Sequence, residues 1–527
     1  MRRVPLVAHL DLKGVQYRPE YYRHYFQELK RLGYSSVLVE YEDVFPFRSA
    51  TVSVQPEVVW SREFFSEFLG HAAEAGVEII PLQQCLGHLE YAFRRLENRC
   101  YAIQDDYLRD LNPFEPQARE WIKALLGEVL EAHPASRYVH LGMDEAWSFS
   151  KLCHARGRDP LEAFLEHLEM LCELCERHGK TPMIWSDMLE EHIAPENIER
   201  LASFRNRVVL VPWNYLAGSK TEVVIRFAGL RRSRQWVENP QNAPWETASL
   251  WAGCQDTEAW APELKALVSE FQVSPYLMEP LFQAAVWKRM GFTVFGGAGA
   301  SITQDRSVLP YYHWRAANIR LWKQVAERHQ LDGVIVTQWL RSNSLAVPNI
   351  IPDVVWPILA QAGSADESAR SFFPEVPEID ALLYKIGKCR ESWTIEDELL
   401  QEMETYVVME HAHEWRSLLL LVKLWKVHKT IERVNEQVGC YAGLGRRPES
   451  AWKKELNAIA LARTQLAELR DELKEHLKKQ YWGQALEEWF YKVFTLPGVT
   501  LDRLEATIEE SVFQYHQRQA GIPFKAE

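Results

Sequence analysis

The chain has 527 residues, which allows two to four domains, or one large barrel with an appended domain. Hydrophobic residues make up 47% and charged residues 25%, so the composition is that of a globular protein and excludes a disordered, collagen-like or disulfide-scaffold chain. The formal net charge of −13 argues against a nucleic-acid partner, because a negative surface repels phosphate.

The N-terminal segment does not resemble a secretory signal. Its apolar stretch contains Pro5 and His9 and meets Asp11 too early, so we expect a cytoplasmic protein. No apolar run reaches the roughly 18 residues that cross a bilayer, and we therefore expect no contact with a membrane. The eight cysteines have irregular spacing, which predicts free thiols in a reducing compartment.

From the N-terminus to about residue 361, short β-branched runs alternate with helical patterns. This alternation is typical of βα units that build a parallel sheet. Eight such units predict a closed (β/α)8 TIM barrel over residues 1–362, with its chemistry just after the strands. The predicted strands are residues 4–10, 36–41, 77–82, 138–142, 182–186, 208–212, 293–296 and 334–338.

The predicted strand ends carry chemically active side chains. Charged or aromatic residues follow seven of the strands, whereas 295–300 after the seventh is small and glycine-rich, which leaves room for bulky neighbours. The stretch 217–268 is too long for an ordinary βα loop and predicts a lid or lobe over the barrel mouth. The residues that we select at the strand ends are Asp11, Glu42, Asp43, His88, Glu90, His140, Asp144, Glu145, Trp185, Asp187, Trp213, Tyr215, Trp339 and Arg341.

Residues 363–527 predict an all-α C-terminal domain. Apolar residues from Leu420 to Val438 follow a 4-3 spacing, and those from Trp452 to Leu473 continue much of it, so we expect an antiparallel helix pair. The turn between them is predicted at 439–448. This seam serves either to pack the domain within its own chain or to form a homodimer.

A cysteine and histidine cluster raises the question of a metal site. Cys172, Cys175 and His178 are three residues apart and share one helical face. Zinc accepts these ligand types, but most structural zinc sites use a tight turn and not a continuous helix. Core packing is therefore the favoured interpretation, and we predict neither a metal nor another cofactor.

The adjacent carboxylates of Asp144 and Glu145 are the most specific chemical feature. Neighbouring carboxylates raise each other's proton affinity, and a glycosidase needs one protonated acid near neutral pH. An Asp-Glu pair is common on solvated loops, so its weight comes from its place after a strand and among several of the 20 tryptophans. Tryptophans stack on sugar rings or fill large cores, and both interpretations stay open.

Several motifs together resemble the β-N-acetylhexosaminidases of glycoside hydrolase family 20. The run 140–145 (His-Leu-Gly-Met-Asp-Glu) is similar to that family's His-x-Gly-Gly-Asp-Glu signature, with Met143 at the position of the second glycine. The segments 11–14, 40–43, 87–90 and 184–188 resemble the hexosaminidase D-like branch, whose bacterial members carry a C-terminal helical domain. The resemblance covers the barrel, about two-thirds of the chain.

This resemblance implies a retaining hydrolysis in which the 2-acetamido oxygen of the substrate attacks the anomeric carbon. Glu145 would be the general acid and base, Asp144 would hold the acetamide N–H, and Tyr215 would donate to the acetamide oxygen. The acetamide pocket would be walled by Trp185, Trp213 and Trp339. His88, with Glu42 or Asp43, would adjust the acidity of Glu145 from the side away from the substrate. The expected substrates are glycans or glycoconjugates that end in β-GlcNAc or β-GalNAc.

The sequence departs from better-known members at two sugar-binding positions. Relatives often place an acidic residue two positions after the strand-six tyrosine and two after the strand-eight tryptophan, where this chain has Ala217 and Arg341. The remaining candidates for the sugar hydroxyls are Asp11, Glu90, Asp187 and Arg341, and His140 completes the substrate-binding set.

Three alternatives remain open. A metal-dependent amidohydrolase would carry His-x-His after strand one, where this chain has His9-Leu10-Asp11. A non-catalytic sugar-binding barrel would keep its tryptophans without turnover. A glycosidase with two enzymic carboxylates would cleave sugars that lack the N-acetyl group.

Overall fold

A closed barrel of eight parallel strands forms the centre of the protein. The computed structural model describes residues 4–104, 108–190, 192–218, 224–227, 230–234, 261–274, 277–302, 308–339, 352–363, 379–389, 395–407, 412–442 and 447–520. Each strand pairs with its neighbours in sequence, and the first strand closes on the last, so the predicted (β/α)8 TIM barrel is confirmed. The strands, β1 to β8, are Leu6–Asp11, Ser36–Glu40, Glu78–Leu82, Tyr138–His140, Thr181–Trp185, Val209–Val211, Thr293–Ser301 and Gly333–Gln338.

Helices and short connections surround the barrel. The helix Tyr21–Arg31 buries Tyr22, Tyr25, Phe26 and Leu29 on one face, the spacing that packs a helix against a sheet. The helix at 160–177 begins with Pro160 after Asp159, whose side chain accepts the Glu162 N–H as an N-cap. The other helices of this region are Arg62–Glu74, Glu90–Phe93, Pro116–Ala132, Trp147–Ala155, Asp187–Glu190, Ile198–Ala202, Pro262–Val268, Phe282–Arg289, Tyr312–Arg328 and Trp356–Gly363.

The barrel interior is filled by side chains and is not a pore. Ten buried residues from the strands form one apolar cluster there, as in other TIM barrels. The strand faces that point outward pack against the helices in a second, larger cluster. The interior residues are Val7, Leu38, Ile80, Leu82, Met183, Trp185, Val209, Val211, Phe295 and Ile335.

Strand β7 is longer than the sequence suggests. The glycine-rich run, which we expected after the strand, lies inside it. Its glycines are needed for packing, because a Cβ on Gly296 would overlap the Trp322 ring and one on Gly297 would come within 2.8 Å of the Trp213 Cβ. The expectation that these small residues leave room for bulky neighbours is confirmed.

The region of the predicted insertion 217–268 contains part of a second small sheet. The described strands Val224–Phe227 and Leu230–Arg234 are antiparallel. Leu277–Met278 joins this sheet beside Leu230–Arg234, and Gln272–Ser274 follows. Because these strands lie between β6 and β7, the sheet belongs to the connection that follows Val211.

The C-terminal region is helical. The long helices Ala412–Ala442 and Lys453–Leu477 are antiparallel, since His413 near the start of the first stacks on His476 near the end of the second at 4.1 Å. Leu420, Leu424, Val427, Ile431, Val434 and Val438 are buried within the chain, so these seam residues pack internally. The remaining helices are Ile379–Lys388, Asp397–Glu404, Gln484–Phe490 and Leu496–Gln519, with a π-helical turn at Tyr491–Thr495.

The helical region is joined to the first barrel loop by backbone pairing. Gln16–Tyr17 forms an antiparallel pair with Tyr481–Trp482. The Trp482 indole donates to the Tyr17 carbonyl at 2.8 Å, and the rings of Tyr17 and Tyr481 stack at 5.0 Å. The loop that follows β1 is therefore held by residues far away in the sequence.

A buried carboxyl group lies at the same junction. Asp353 is 2% exposed and accepts hydrogen bonds from Ser417 at 2.9 Å and from Gln480 at 3.0 Å. Burial, with the nearby charge of Glu414, raises the pKa of Asp353 to about 7. Ionising this group therefore opposes the packing of the helical region on the barrel.

No helix among the described residues combines the length and the apolar character that a membrane span requires.

Candidate active site

A cavity of about 180 Å³ opens at the C-terminal ends of the barrel strands. Loops after β1, β2, β3, β4, β6 and β8 supply its walls, together with Ile302 after β7. The cavity is the place where a TIM barrel carries its functional residues. Its lining residues are Asp11, Lys13, Glu40, Glu42, Gln84, His88, Glu90, Asp144, Glu145, Trp213, Tyr215, Ile302 and Trp339.

His88 bridges the two adjacent carboxylates that follow β4. Its Nε2 lies 3.4 Å from the Asp144 Oδ2 and 3.4 Å from the Glu145 Oε2. On the other side of the ring, Nδ1 is 4.0 Å from the Glu90 Oε1. One imidazole therefore contacts three carboxylates, and it separates the two that the sequence places side by side.

The charges of this group determine where its proton resides. Burial alone would lower the pKa of His88, but the charge of Asp144 and the hydrogen bonds to Asp144 and Glu145 raise it well above its ordinary value. Burial would raise the pKa of Glu145, but the hydrogen bond and charge of His88, with the charge of Arg109, hold it below the ordinary range. The direction for Glu145 is opposite to the one expected from two neighbouring carboxylates alone, because His88 lies between Asp144 and Glu145.

Backbone strain is concentrated at the cavity. Four non-glycine lining or adjacent residues have φ in the left-handed region: Glu42 at 47°, His88 at 57°, Met143 at 76° and Glu145 at 47°. Such conformations cost about 1–3 kcal/mol each and cluster at functional sites. Met143 lies where the resembled signature has glycine, which tolerates this φ without a steric cost.

Asp144 has an oxygen available for a ligand. The residue is 7% exposed, and its Oδ1 is buried without a hydrogen-bond partner in the described part of the chain. Buried polar atoms are normally satisfied by protein or by a bound molecule. A ligand N–H in the cavity would satisfy this acceptor.

Aromatic side chains also line the cavity. The rings of Trp213 and Tyr215 stack at 5.1 Å with an interplanar angle of 18°, and the Trp339 ring meets Tyr215 edge-on at 6.4 Å. A Cβ on Gly299 would come within 3.0 Å of the Tyr215 Cβ, so the glycines of β7 allow these rings to approach. Burial raises the pKa of Tyr215, which keeps its hydroxyl protonated as a donor.

A lysine and three carboxylates line the cavity at the C-terminal ends of β1 and β2. The Lys13 Nζ lies 2.7 Å from the Glu40 Oε2, 3.5 Å from the Glu42 Oε1 and 3.6 Å from the Asp11 Oδ1. Burial opposes the charge on Lys13, but these carboxylates raise its pKa well above the ordinary value. The ammonium also lies 5.1 Å from the centre of the Trp339 ring.

Sequence reasoning assigned no role to Lys13, Glu40, Gln84 or Arg109. Gln84 donates to the Glu40 Oε1 at 3.0 Å, and the Arg109 guanidinium donates to the Glu145 carbonyl. Lys13, Glu40 and Gln84 lie at strand ends, a position that could have identified them. Arg109 lies in a long connection and gave no such signal.

Five predicted residues do not line the cavity or cannot be located. Trp185 is fully buried in the barrel interior, 4.4 Å from the His140 ring and 6.0 Å from the ring of Trp339, which does line the cavity. His140 is also fully buried, and burial lowers its pKa to about 3. Asp43 accepts a hydrogen bond from Ser53 at 3.2 Å. Asp187 lies behind the wall, and Arg341 lies outside the described residues.

The cysteine cluster packs in the core. Cys172 and Cys175 are fully buried on the helix Pro160–Arg177, and burial raises the pKa of Cys172 to about 12. Metal ligation requires the thiolate, which this environment disfavours. Within the described ranges, no three or more His, Cys, Asp or Glu side chains are grouped to hold a metal ion.

Known proteins are similar to parts of this chain. A 219-residue alignment with human hexosaminidase D (Homo sapiens) has 27% identity and covers 40% of this chain and 45% of the human protein. A 224-residue alignment with bovine hexosaminidase D (Bos taurus) also has 27% identity and covers 40% of this chain and 62% of that protein. The chain thus spans less than two-thirds of either relative.

A solved structure, a β-N-acetylhexosaminidase from Bacteroides fragilis, aligns with a TM-score of 0.43 and 17% identity over 71% of this chain and 69% of that chain. Residues 34–225 match the family model described as glycosyl hydrolase family 20, catalytic domain. This segment runs from β2 past β6 and contains His88, Asp144, Glu145, Trp213 and Tyr215. Residues 34–225 are therefore similar to the catalytic domain of glycosyl hydrolase family 20.

Proposed function

We propose that this protein is an exo-acting, retaining β-N-acetylhexosaminidase. It removes terminal β-GlcNAc or β-GalNAc from glycans or glycoconjugates, with the 2-acetamido group of the substrate as the nucleophile. The observation that carries this proposal is the unpartnered, buried Oδ1 of Asp144 beside Glu145, in a cavity that aromatic rings also line. An acetamide offers an N–H for that oxygen and an apolar methyl for the rings.

In the first step, the acetamide oxygen attacks the anomeric carbon while the glycosidic bond breaks. Glu145 gives its proton to the departing oxygen, and a cyclic oxazolinium forms on the sugar. Asp144 accepts the acetamide N–H and offsets the positive charge, and the Tyr215 hydroxyl donates to the acetamide oxygen. In the second step, Glu145 takes a proton from water, which attacks the same carbon and restores the acetamide.

The proton for the first step comes from the pair that His88 forms with Glu145. In the free enzyme this proton resides on His88, whose raised pKa and 3.4 Å contact support transfer to the Glu145 Oε2. Such a pair titrates as a unit, so one shared proton is available over a wide pH range. His88 thereby provides Glu145 with a proton, which Asp144 alone does not do.

The test is hydrolysis of 4-nitrophenyl β-GlcNAc, β-GalNAc and unacetylated β-glucosaminide by the wild type and by Glu145→Gln. We expect release from the N-acetyl sugars only, and a large loss in the variant at an unchanged melting temperature. A competitive block by a thiazoline that mimics the oxazolinium would support participation of the acetamide.

The alternatives give different results. Binding of an N-acetyl sugar without any turnover would support the non-catalytic barrel. Cleavage of the unacetylated glycoside as fast as its N-acetyl counterpart would support two enzymic carboxylates. An equally active Glu145→Gln would remove that residue from its role.

A further inference from the structure

Asp187 connects two walls of the cavity without lining it. It follows β5 and begins the short helix Asp187–Glu190. Its Oδ2 accepts the backbone N–H of Glu145 at 3.0 Å, and its Oδ1 accepts the indole N–H of Trp213 at 3.2 Å. One side chain therefore contacts both the acid loop after β4 and the aromatic wall after β6.

We propose that Asp187 is a positioning residue that fixes the Glu145 backbone and the Trp213 indole relative to each other. It does not bind a sugar hydroxyl. This inference rests on the proposed function, because it assigns Asp187 a part in the same hydrolysis. It also replaces the substrate-binding role that the position of Asp187 at a strand end suggested.

The backbone of Glu145 needs such a support. Its φ of 47° is unfavourable for a residue with a side chain. The Glu145 N–H is held by Asp187, while its carbonyl accepts from the Arg109 guanidinium and from the Trp147 N–H, the latter at 2.8 Å. Removing Asp187 releases one side of this arrangement, and the carboxyl of Glu145 moves with its backbone.

The indole of Trp213 is oriented by the same carboxyl group. Its N–H points to Asp187, and its ring stacks on Tyr215. A single side chain thus links the Glu145 backbone to the Trp213 indole by accepting two hydrogen bonds in different directions. Small displacements matter here, because a misplacement of about 1 Å costs a catalyst about 10²-fold.

The electrostatics agree with a structural connection. Burial, with the negative charges of Asp144 and Glu145, raises the pKa of Asp187 well above its ordinary value. The site is therefore a costly place for a third negative charge. The two hydrogen bonds that Asp187 accepts from Glu145 and Trp213 give a reason for a carboxyl group at this position.

The test compares Asp187→Ala and Asp187→Asn on two N-acetylglucosaminides, one with a 2,4-dinitrophenyl and one with a phenyl leaving group. The first departs without help from an acid, whereas the second needs the proton of Glu145. We expect Asp187→Ala to lower kcat about 10²-fold on the phenyl glycoside. On the dinitrophenyl glycoside, the loss in kcat should be at least about tenfold smaller. Asp187→Asn keeps one acceptor and should lie between Asp187→Ala and the wild type.

Glu190→Gln is the matched control. Glu190 is buried in the same short helix and accepts from Ser186 at 2.7 Å, so its substitution perturbs this loop at a hydrogen bond that involves neither Glu145 nor Trp213. We expect a lower melting temperature without a loss that depends on the leaving group. The same dependence in Glu190→Gln would overturn the proposal.

Other outcomes are equally decisive. A rise in KM on both substrates at unchanged kcat in Asp187→Ala would show that Asp187 binds the sugar, and would overturn the proposal. Failure of both Asp187 variants to fold would assign the residue to the fold and would also overturn it. A wild type that cleaves neither substrate would refute the proposed hydrolase, which is a different failure.

Discussion

Gly142→Ala should destabilise the protein more than Gly157→Ala, although both glycines have φ of +66°. A Cβ at Gly157 would meet no atom within 4 Å, whereas a Cβ at Gly142 would overlap the Oε1 of Gln84. Gln84 cannot easily move, because it is 2% exposed and donates to the Glu40 Oε1 at 3.0 Å. The two substitutions share a backbone penalty and differ in the steric one.

The magnitude follows from these two contributions. A left-handed φ costs a residue with a Cβ about 1–2 kcal/mol, and this cost applies at both positions. Displacing Gln84 also breaks a hydrogen bond to a buried carboxylate, which costs about 1–3 kcal/mol. We therefore expect about 1–2 kcal/mol for Gly157→Ala and about 2–5 kcal/mol for Gly142→Ala.

Thermal unfolding of both variants beside the wild type measures the difference. The midpoint should fall clearly further for Gly142→Ala, and only this variant should lose kcat/KM, because Gln84 lines the cavity. Equal midpoints for the two variants would refute the reasoning, since the steric contribution would then be absent. An unchanged kcat/KM in Gly142→Ala would show that Gln84 has no part in the site.

Three other predictions follow from the charges. Asp144→Asn should lower kcat about 10²-fold, the scale of one preorganised electrostatic contact, and a near-normal kcat would exclude the assigned role. His88→Gln should move the basic limb of the kcat/KM profile to lower pH, because Glu145 then holds the proton alone, and an unshifted limb would argue against the shared proton. The raised pKa of Asp353, about 7, means that its contribution to stability is complete below about pH 4 and is lost as the pH rises through 7. The melting temperature of Asp353→Asn, relative to that of the wild type, should therefore be higher at pH 8 than at pH 5. The same difference at both pH values would contradict this.

Local patterns were sufficient to predict the barrel and most of its strands. Alternation of β-branched runs with helical periods depends on residues close in sequence, so a single sequence contains it. Strand β7 was predicted too short because glycines usually end a strand. Here they are required by the rings of Trp322, Trp213 and Tyr215, which lie far away in the sequence.

The candidate site was predicted only in part. The strand-end rule located Glu145, Asp144 and Tyr215, because it needs only the end of each strand. It could not predict that Trp185 points into the barrel, since both faces of a parallel strand are apolar. It also could not predict that His88 lies between the two acids, because that arrangement depends on a backbone conformation with positive φ.

The pairing of Gln16–Tyr17 with Tyr481–Trp482 has a consequence for the order of folding. The loop that follows Asp11 and presents Lys13 to the cavity forms this pairing with residues more than 460 positions later. On the ribosome, all eight barrel strands emerge long before that partner does. The barrel can therefore close while the loop after its first strand is still unanchored, and this pairing forms only when Tyr481–Trp482 has been made.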